Sequence, residues 1–212
     1  MDSFLPCSYW TDRSLLHLIM RKTNVKDHIV KTANDLFYKN GYNTTGINEI
    51  IEKADIAKAT LYHHFKSKEA ICIAYLEVRH LEFMDELSRL SKSKSLGKPQ
   101  LLVIFDFLRD LYRKGEFYGC WALKTLGELS PTNTEIRTVI QRQKKELLLF
   151  LGEIVGNNIA NISKAETEKI SGGLYLLYES AITESHLHQN DWPIHLAKSI
   201  APSLFSQTQL KQ

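Results

Sequence analysis

Along most of this 212-residue chain, apolar residues recur at intervals of three and four, with Lys, Glu, Asn and Ser filling the positions between them. That period belongs to helices buried on one face. Val25, Ile29, Ala33, Leu36 and Phe37 predict a helix over Val25–Asn40, and Gly41 supplies the left-handed residue that stops it. Ile47, Ile50, Ile51 and Ala54 predict a second, short helix, with Asp55 where a tight turn must follow. A third covers roughly Lys58 to His64, with Leu61 inward and Ile56 and Phe65 flanking it. A fourth starts at Ser67 and runs to about Leu90 through Ile71, Tyr75, Val78, Leu81 and Leu87. Two short helices joined by a few residues and braced by a longer one have the geometry of a helix-turn-helix.

Residues 91 to 99 form a polar connector containing Gly97 and Pro99, after which the stripes lengthen. Leu101, Leu102, Phe105, Leu108, Leu111 and Tyr112 make one stripe, and Ile136, Ile140, Leu147, Leu151 and Ile154 another. Thr132 with Glu135, and Ser163 with Glu166, have the spacing of capping boxes. Ile170, Leu174, Leu177 and Ala181 continue the helix that Ser163 starts, and Gly172 and Gly173 offer room for close helix approach. A last helix over about 191 to 206 has Pro193 in its first turn, where no amide donor is needed. No alternating strand pattern and no internal repeat occurs, and ten Gly with five Pro are few for a turn-rich chain. The predicted fold class is all-α.

Composition narrows the function classes. The longest aliphatic and aromatic run, Leu147 to Leu151, is far short of the roughly 20 residues of a membrane span. Cys7, Cys72 and Cys120 are odd in number and widely spaced, as expected of free thiols in the cytoplasm rather than of a disulfide framework or zinc site. The apolar Leu15–Met20 segment lacks a basic flank and a cleavage site, so no secretory signal is expected; Met20 is an alternative start to Met1. The net charge of +3 is unevenly distributed. Residues 21–68 carry nine basic against five acidic groups, while residues 69–212 carry 17 of each. A basic segment beside a neutral body is the footprint of a nucleic-acid reader attached to another domain.

The chemistry concentrates in Ala57 to Phe65. A helix entering a DNA groove needs a pinned back and an outer face able to reach phosphates and base edges. Leu61 and Phe65 suit the back. Lys58 and Tyr62 share one outer face, Thr60 with His63 or His64 another, and the small Ala59 permits close approach.

The run from Gly41 to Ala70, GYNTTGINEIIEKADIAKATLYHHFKSKEA, closely resembles the TetR family of transcriptional regulators, as does the preceding Ala33-Asn34-Asp35-Leu36-Phe37. The resemblance covers about residues 25 to 75. It implies an N-terminal three-helix DNA-binding domain over 22–75, an effector-binding and dimerisation domain over 76–212, and an N-terminal extension over 1–21. It also implies contacts to double-stranded DNA from Thr45, Asn48, Lys58, Ala59, Thr60, Tyr62, His63, His64 and Lys68. Two departures stand out: Asp55 replaces the usual turn glycine, and Gly46 and Ala57 stand where hydroxyl caps are common. Both lower the expected stability of the domain without changing its fold.

The resemblance further implies a homodimer and a small-molecule effector held among the aromatics of the larger domain. Phe105, Phe117, Cys120, Trp121, Tyr175 and Tyr178 are the expected pocket residues, though aromatic side chains also serve as plain core. Phe117-Tyr118-Gly119-Cys120-Trp121 resembles the Gly-Cys start of the sixth helix in one branch of the family; a redox role for Cys120 is an alternative. Glu184, His186, His188 and His195 gather near the junction of the last helices, and Glu184 and His188, one turn apart, could share a metal; a solvated polar cluster is the simpler reading, and no metal or cofactor is expected. The patterns H-E-x-x-H, G-x-S-x-G, G-x-G-x-x-G and a phosphate-binding glycine loop are absent, and Ser91 with Lys94 fits S-x-x-K without a partner, so no enzyme is expected. The expected function is a repressor that binds a palindromic operator as a homodimer and is released by its small-molecule effector; a transcriptional activator of the same fold and a helical protein-binding scaffold are the alternatives.

Overall fold

The computed structural model describes residues 25–115 and 117–211. The N-terminal extension, Cys7 and the alternative start at Met20 lie outside the described residues. These contain ten α-helices, a terminal 3-10 turn and no strand. The first four helices are α1 (Val25–Asn40), α2 (Ile47–Lys53), α3 (Lys58–His64) and α4 (Lys68–Lys92). The body adds α5 (Lys98–Leu101), α6 (Val103–Arg113), α7 (Trp121–Glu128), α8 (Thr134–Asn158), α9 (Lys164–His188) and α10 (Trp192–Ile200).

Helix α1 has the bounds that its stripe predicts, with Ile29, Val30, Ala33 and Phe37 buried, and Gly41 follows at φ +101°. Asp55 takes the left-handed turn at φ +50°. Leu61 is the buried residue of α3, and Phe65 continues its back. Helix α4 packs on both α1 and α8, so one continuous core runs from the three-helix end into the body.

Several boundaries differ from the sequence expectation. Helix α4 continues to Lys92, which shortens the connector. The stripe over 101–112 is two helices, broken at Leu102. Thr132 does not cap: Asn133 accepts from the Ile136 amide instead, because the helix begins at Thr134. Ser163 and Glu166 form the expected capping box. Helix α10 ends at Ile200 and continues as a 3-10 turn over Ala201–Phe205; Pro202 lacks the amide hydrogen that an α-turn there would use. Of the two adjacent glycines in α9, Gly173 takes the close approach, from Leu204, while Gly172 faces open space.

Candidate nucleic-acid interface

Tertiary contacts, not caps, hold the short helices. Neither Gly46 before α2 nor Ala57 before α3 makes a side-chain cap. Instead the His28 ring donates from Nε2 to the Ala54 carbonyl at 3.0 Å, closing the end of α2 from α1. Ile50, Ala54, Leu61 and Phe65 are buried beneath, leaving α3 with one free face.

That face carries most of the residues expected to meet DNA. Lys58, Ala59, Tyr62 and His63 are exposed, and Thr60 and His64 are half-buried. The Lys58 ammonium lies 6.0 Å from the Tyr62 ring centre, and the His63 and His64 rings meet edge to face at 5.1 Å. Asn48 is exposed in the first turn of α2. Lys68 is placed differently: its ammonium stacks 4.4 Å above the Tyr42 ring, whose hydroxyl donates to Glu69 at 3.2 Å, so it is held beside the start of α4 rather than free in solvent. Burial and the neighbouring Glu69 raise the Tyr42 phenol, which therefore remains a donor.

Thr45 is a correction. It is fully buried, and its hydroxyl donates to the Gly41 carbonyl at 2.8 Å, so it closes the end of α1 and presents no atom to a phosphate. The exposed neighbour is Thr44. The doublet Thr44-Thr45 gave no periodic cue as to which hydroxyl faces inward.

A set of contacts that sequence reasoning missed ties this end to the body. The Lys124 ammonium of α7 donates to the carbonyls of Tyr38 at 2.9 Å and Lys39 at 3.1 Å, at the negative end of α1. Glu128, at the end of α7, accepts from the Asn43 amide at 2.6 Å, and its carbonyl accepts from Asn43 Nδ2 at 2.8 Å. Gly41 is pressed so closely on that carboxylate that a Cβ would collide with it. The Tyr38 hydroxyl accepts from the Tyr118 amide at 3.2 Å and donates to the Gly119 carbonyl at 3.3 Å. The partners stand some 80 positions apart, beyond any local pattern.

Cys120, Trp121 and Tyr178 of the expected effector pocket do come together. With His80, Phe83, Ala122, Gln143, Lys144 and Leu147 they line a cavity of about 20 Å³. Phe105 is fully buried in the core, Phe117 packs on Tyr112 and His186, and Tyr175 lies outside the cavity lining. These three are corrected to core or flank. Lys144 donates to Glu179 at 2.6 Å and to the Cys120 sulfur at 3.3 Å. Burial works against its charge, yet Cys120 and Glu179 together leave the ammonium raised above its ordinary value. A larger groove of about 330 Å³ between α4 and α6 is open and lined by Glu86, Arg89, Asp110 and Lys114 with Leu90, Phe107 and Leu111.

The polar groups near the last helices divide among different partners. Glu184 pairs with His188 at 3.3 Å and Asp191 with His195 at 3.2 Å, while His186 packs on Gly119 and Phe117. Among the described residues no group of three or more His, Cys, Asp and Glu is placed to hold a metal. No helix there is long and apolar enough to cross a membrane.

Residues 29–75, which contain all but the first turn of α1, then α2, α3 and the start of α4, match the model of bacterial regulatory proteins of the tetR family. Over that stretch the chain carries the DNA-binding domain of the TetR family. With that domain at the head of a helical body, the chain is a transcriptional regulator and not an enzyme. It is 23% identical over 140 residues, 65% of its length and 70% of the relative's, to the HTH-type transcriptional repressor NemR of Escherichia coli K12. Over 63 residues, 30% of this chain and 34% of the other, it is 38% identical to the HTH-type transcriptional regulator QacR of Staphylococcus aureus Mu50. The TetR-family regulator SCO4454 of Streptomyces coelicolor shares the fold, with a TM-score of 0.77 at 19% identity over 86% of this chain and 95% of that one.

Proposed function

We propose that this TetR-family regulator is a cytoplasmic, homodimeric repressor that binds a palindromic operator through α3 and leaves it when a small molecule binds the larger domain. The observation that carries this reading is an unpartnered apolar face on the last two helices. Leu176 and Leu187 of α9 are 67% and 69% exposed, and Trp192, Leu196 and Ile200 of α10 are also exposed. Leu176, Ser180, Thr183 and Leu187 follow one another at spacings of four, three and four, a single stripe of α9. Two such helices meeting their copies across a two-fold axis make a four-helix interface, and a two-fold protein fits a two-fold operator. The names of relatives such as NemR support repression over activation.

Asn48, Lys58, Ala59, Thr60, Tyr62, His63 and His64 would face the major groove and its phosphates, with Lys68 beside them. Half-sites one helical turn apart demand roughly 34 to 36 Å between the two recognition helices, so any change in the attitude of the three-helix end weakens binding. Helix α4 and the α7 contacts both set that attitude. The effector then acts by binding more tightly to the spacing that DNA does not accept.

The test is a footprint on the DNA upstream of the chain's own gene, read beside molar mass in solution. A dimer protecting two symmetric half-sites is expected. Leu187→Glu with Leu196→Glu should give a folded monomer that no longer protects DNA, and Tyr62→Ala should lose protection as a dimer. A monomer that protects a single site, or full protection by Tyr62→Ala, would overturn the proposal.

A further inference from the structure

Two buried polar atoms on the wall of the α7 cavity have no partner within the protein. Trp121 is 8% exposed and its indole Nε1 makes no hydrogen bond. Gln143 is 3% exposed; its amide nitrogen donates to the Leu76 carbonyl at 3.0 Å and to Glu77 at 3.3 Å, which fixes the amide the right way round and leaves Oε1 unpaired. An indole nitrogen only donates and an amide oxygen only accepts. A single hydroxyl can serve both at once, whereas a carboxylate could satisfy the indole only and an ammonium the amide only.

Two more aromatic rings, Phe83 and Tyr178, stand on the same wall. Phe83 meets Trp121 at 5.4 Å and lies stacked with Tyr178 at 6.4 Å. The one ammonium on the wall, Lys144, is already paired with Glu179. A charged guest would bring an uncompensated charge into this site, and an aliphatic one would not use the ring faces.

Resting on the effector reading above, we infer that this cavity, at the head of α7, is the binding site for an uncharged, single-ring hydroxyaromatic compound, its hydroxyl accepting from Trp121 and donating to Gln143. The volume of about 20 Å³ holds little more than one water, so a ring enters only as Trp121 and the segment before it give way. Those are the groups that touch the DNA-reading end. The Arg79 guanidinium lies 5.3 Å from the Trp121 ring and 4.3 Å from the Tyr38 ring, and Tyr38 is hydrogen-bonded to Tyr118 and Gly119. Displacing Trp121 therefore disturbs Tyr38, near the end of α1.

The experiment titrates the full chain with phenol and with toluene, a ring of similar size without the hydroxyl, following the Trp121 indole resonance, assigned by its loss in Trp121→Phe. Phenol is expected to shift that resonance saturably and to bind at least about tenfold more tightly than toluene. Gln143→Leu should remove the preference. Trp121→Phe, which keeps a ring on the wall, should reduce it by calorimetry. Equal affinity for the two probes, no response to phenol at millimolar concentration, or a phenol-soaked crystal showing only an ordered water between Trp121 and Gln143 would overturn the inference. Operator binding is measured in the same titration. Phenol bound at Trp121 without release of DNA keeps the site and rejects its role as an effector site. Release of DNA by another compound with no phenol bound rejects the site and keeps effector control.

Discussion

At the DNA-reading end, two seven-residue helices start on Gly46 and Ala57 without a side-chain cap; in the body, α8 and α9 run 25 residues each from Asn133 and Ser163, both of which cap. Helices of seven residues are far too short to be stable alone, while long capped ones carry much of their own order. The difference teaches where the small end gets its rigidity. Its helices are held by a shared core of Ile50, Leu61 and Phe65 beneath them, and α1 is held by α7 of the body through Lys124 and Glu128. A reader kept in shape by its neighbour is one whose shape that neighbour can change.

The comparison breaks most completely at the core. Leu61→Ala, at a fully buried site, should cost about 2–5 kcal/mol. Amide exchange should show α1 to α3 losing protection while α8 and α9 keep theirs; equal loss throughout would mean that the two ends unfold as one. Next in size, Glu128→Ala removes a carboxylate that accepts from a backbone amide, at a cost of about 1–3 kcal/mol. Exchange at residues 41–45 should rise and operator affinity fall, with the body unchanged.

Two substitutions should make the ends more alike. Ala57→Ser supplies the missing cap of α3 and should add about 1 kcal/mol to stability, seen as a higher melting temperature. Asp55→Gly relieves the left-handed backbone and should add about 0.5–1 kcal/mol, without altering the DNA sequence bound. A fall in stability with either would show that the native residue has a partner role not evident in its contacts.

The smallest effect lies in the body and depends on pH. Burial lowers the His80 imidazole below its ordinary value despite the Glu146 carboxylate 2.6 Å away. Because the unfolded chain then binds the proton more tightly, the contribution is complete above about pH 6.5 and declines as pH falls below it. A His80→Gln variant should show a flatter melting temperature between pH 7 and pH 5 than the parent.

Much of this comparison was legible in the sequence. The stripe from Val25 to Phe37 and the stop at Gly41 gave α1 its observed bounds, and Asp55 marked its turn. Spacing also found the outer face of α3 and the Ser163–Glu166 box. Thr45 was misplaced because a hydroxyl that closes a helix and one that meets a phosphate look alike in sequence. Phe105 and Tyr175 were misplaced because aromatic content marks burial, and only packing separates a core ring from a cavity wall. Asn133 displaced Thr132 because the two stand side by side and either can cap. The hold of Lys124 and Glu128 on α1 had no sequence signal at all, since it joins residues that only the fold brings together.

Asp55 has one more consequence, in the genetic code. Either codon for aspartate becomes a glycine codon by a single transition at its middle base, so relief of the left-handed turn lies one mutational step away. The protein thus has a simple route to greater heat tolerance at the part of the molecule that reads DNA, and a lineage moved to a warmer setting could take it without passing through any less stable intermediate.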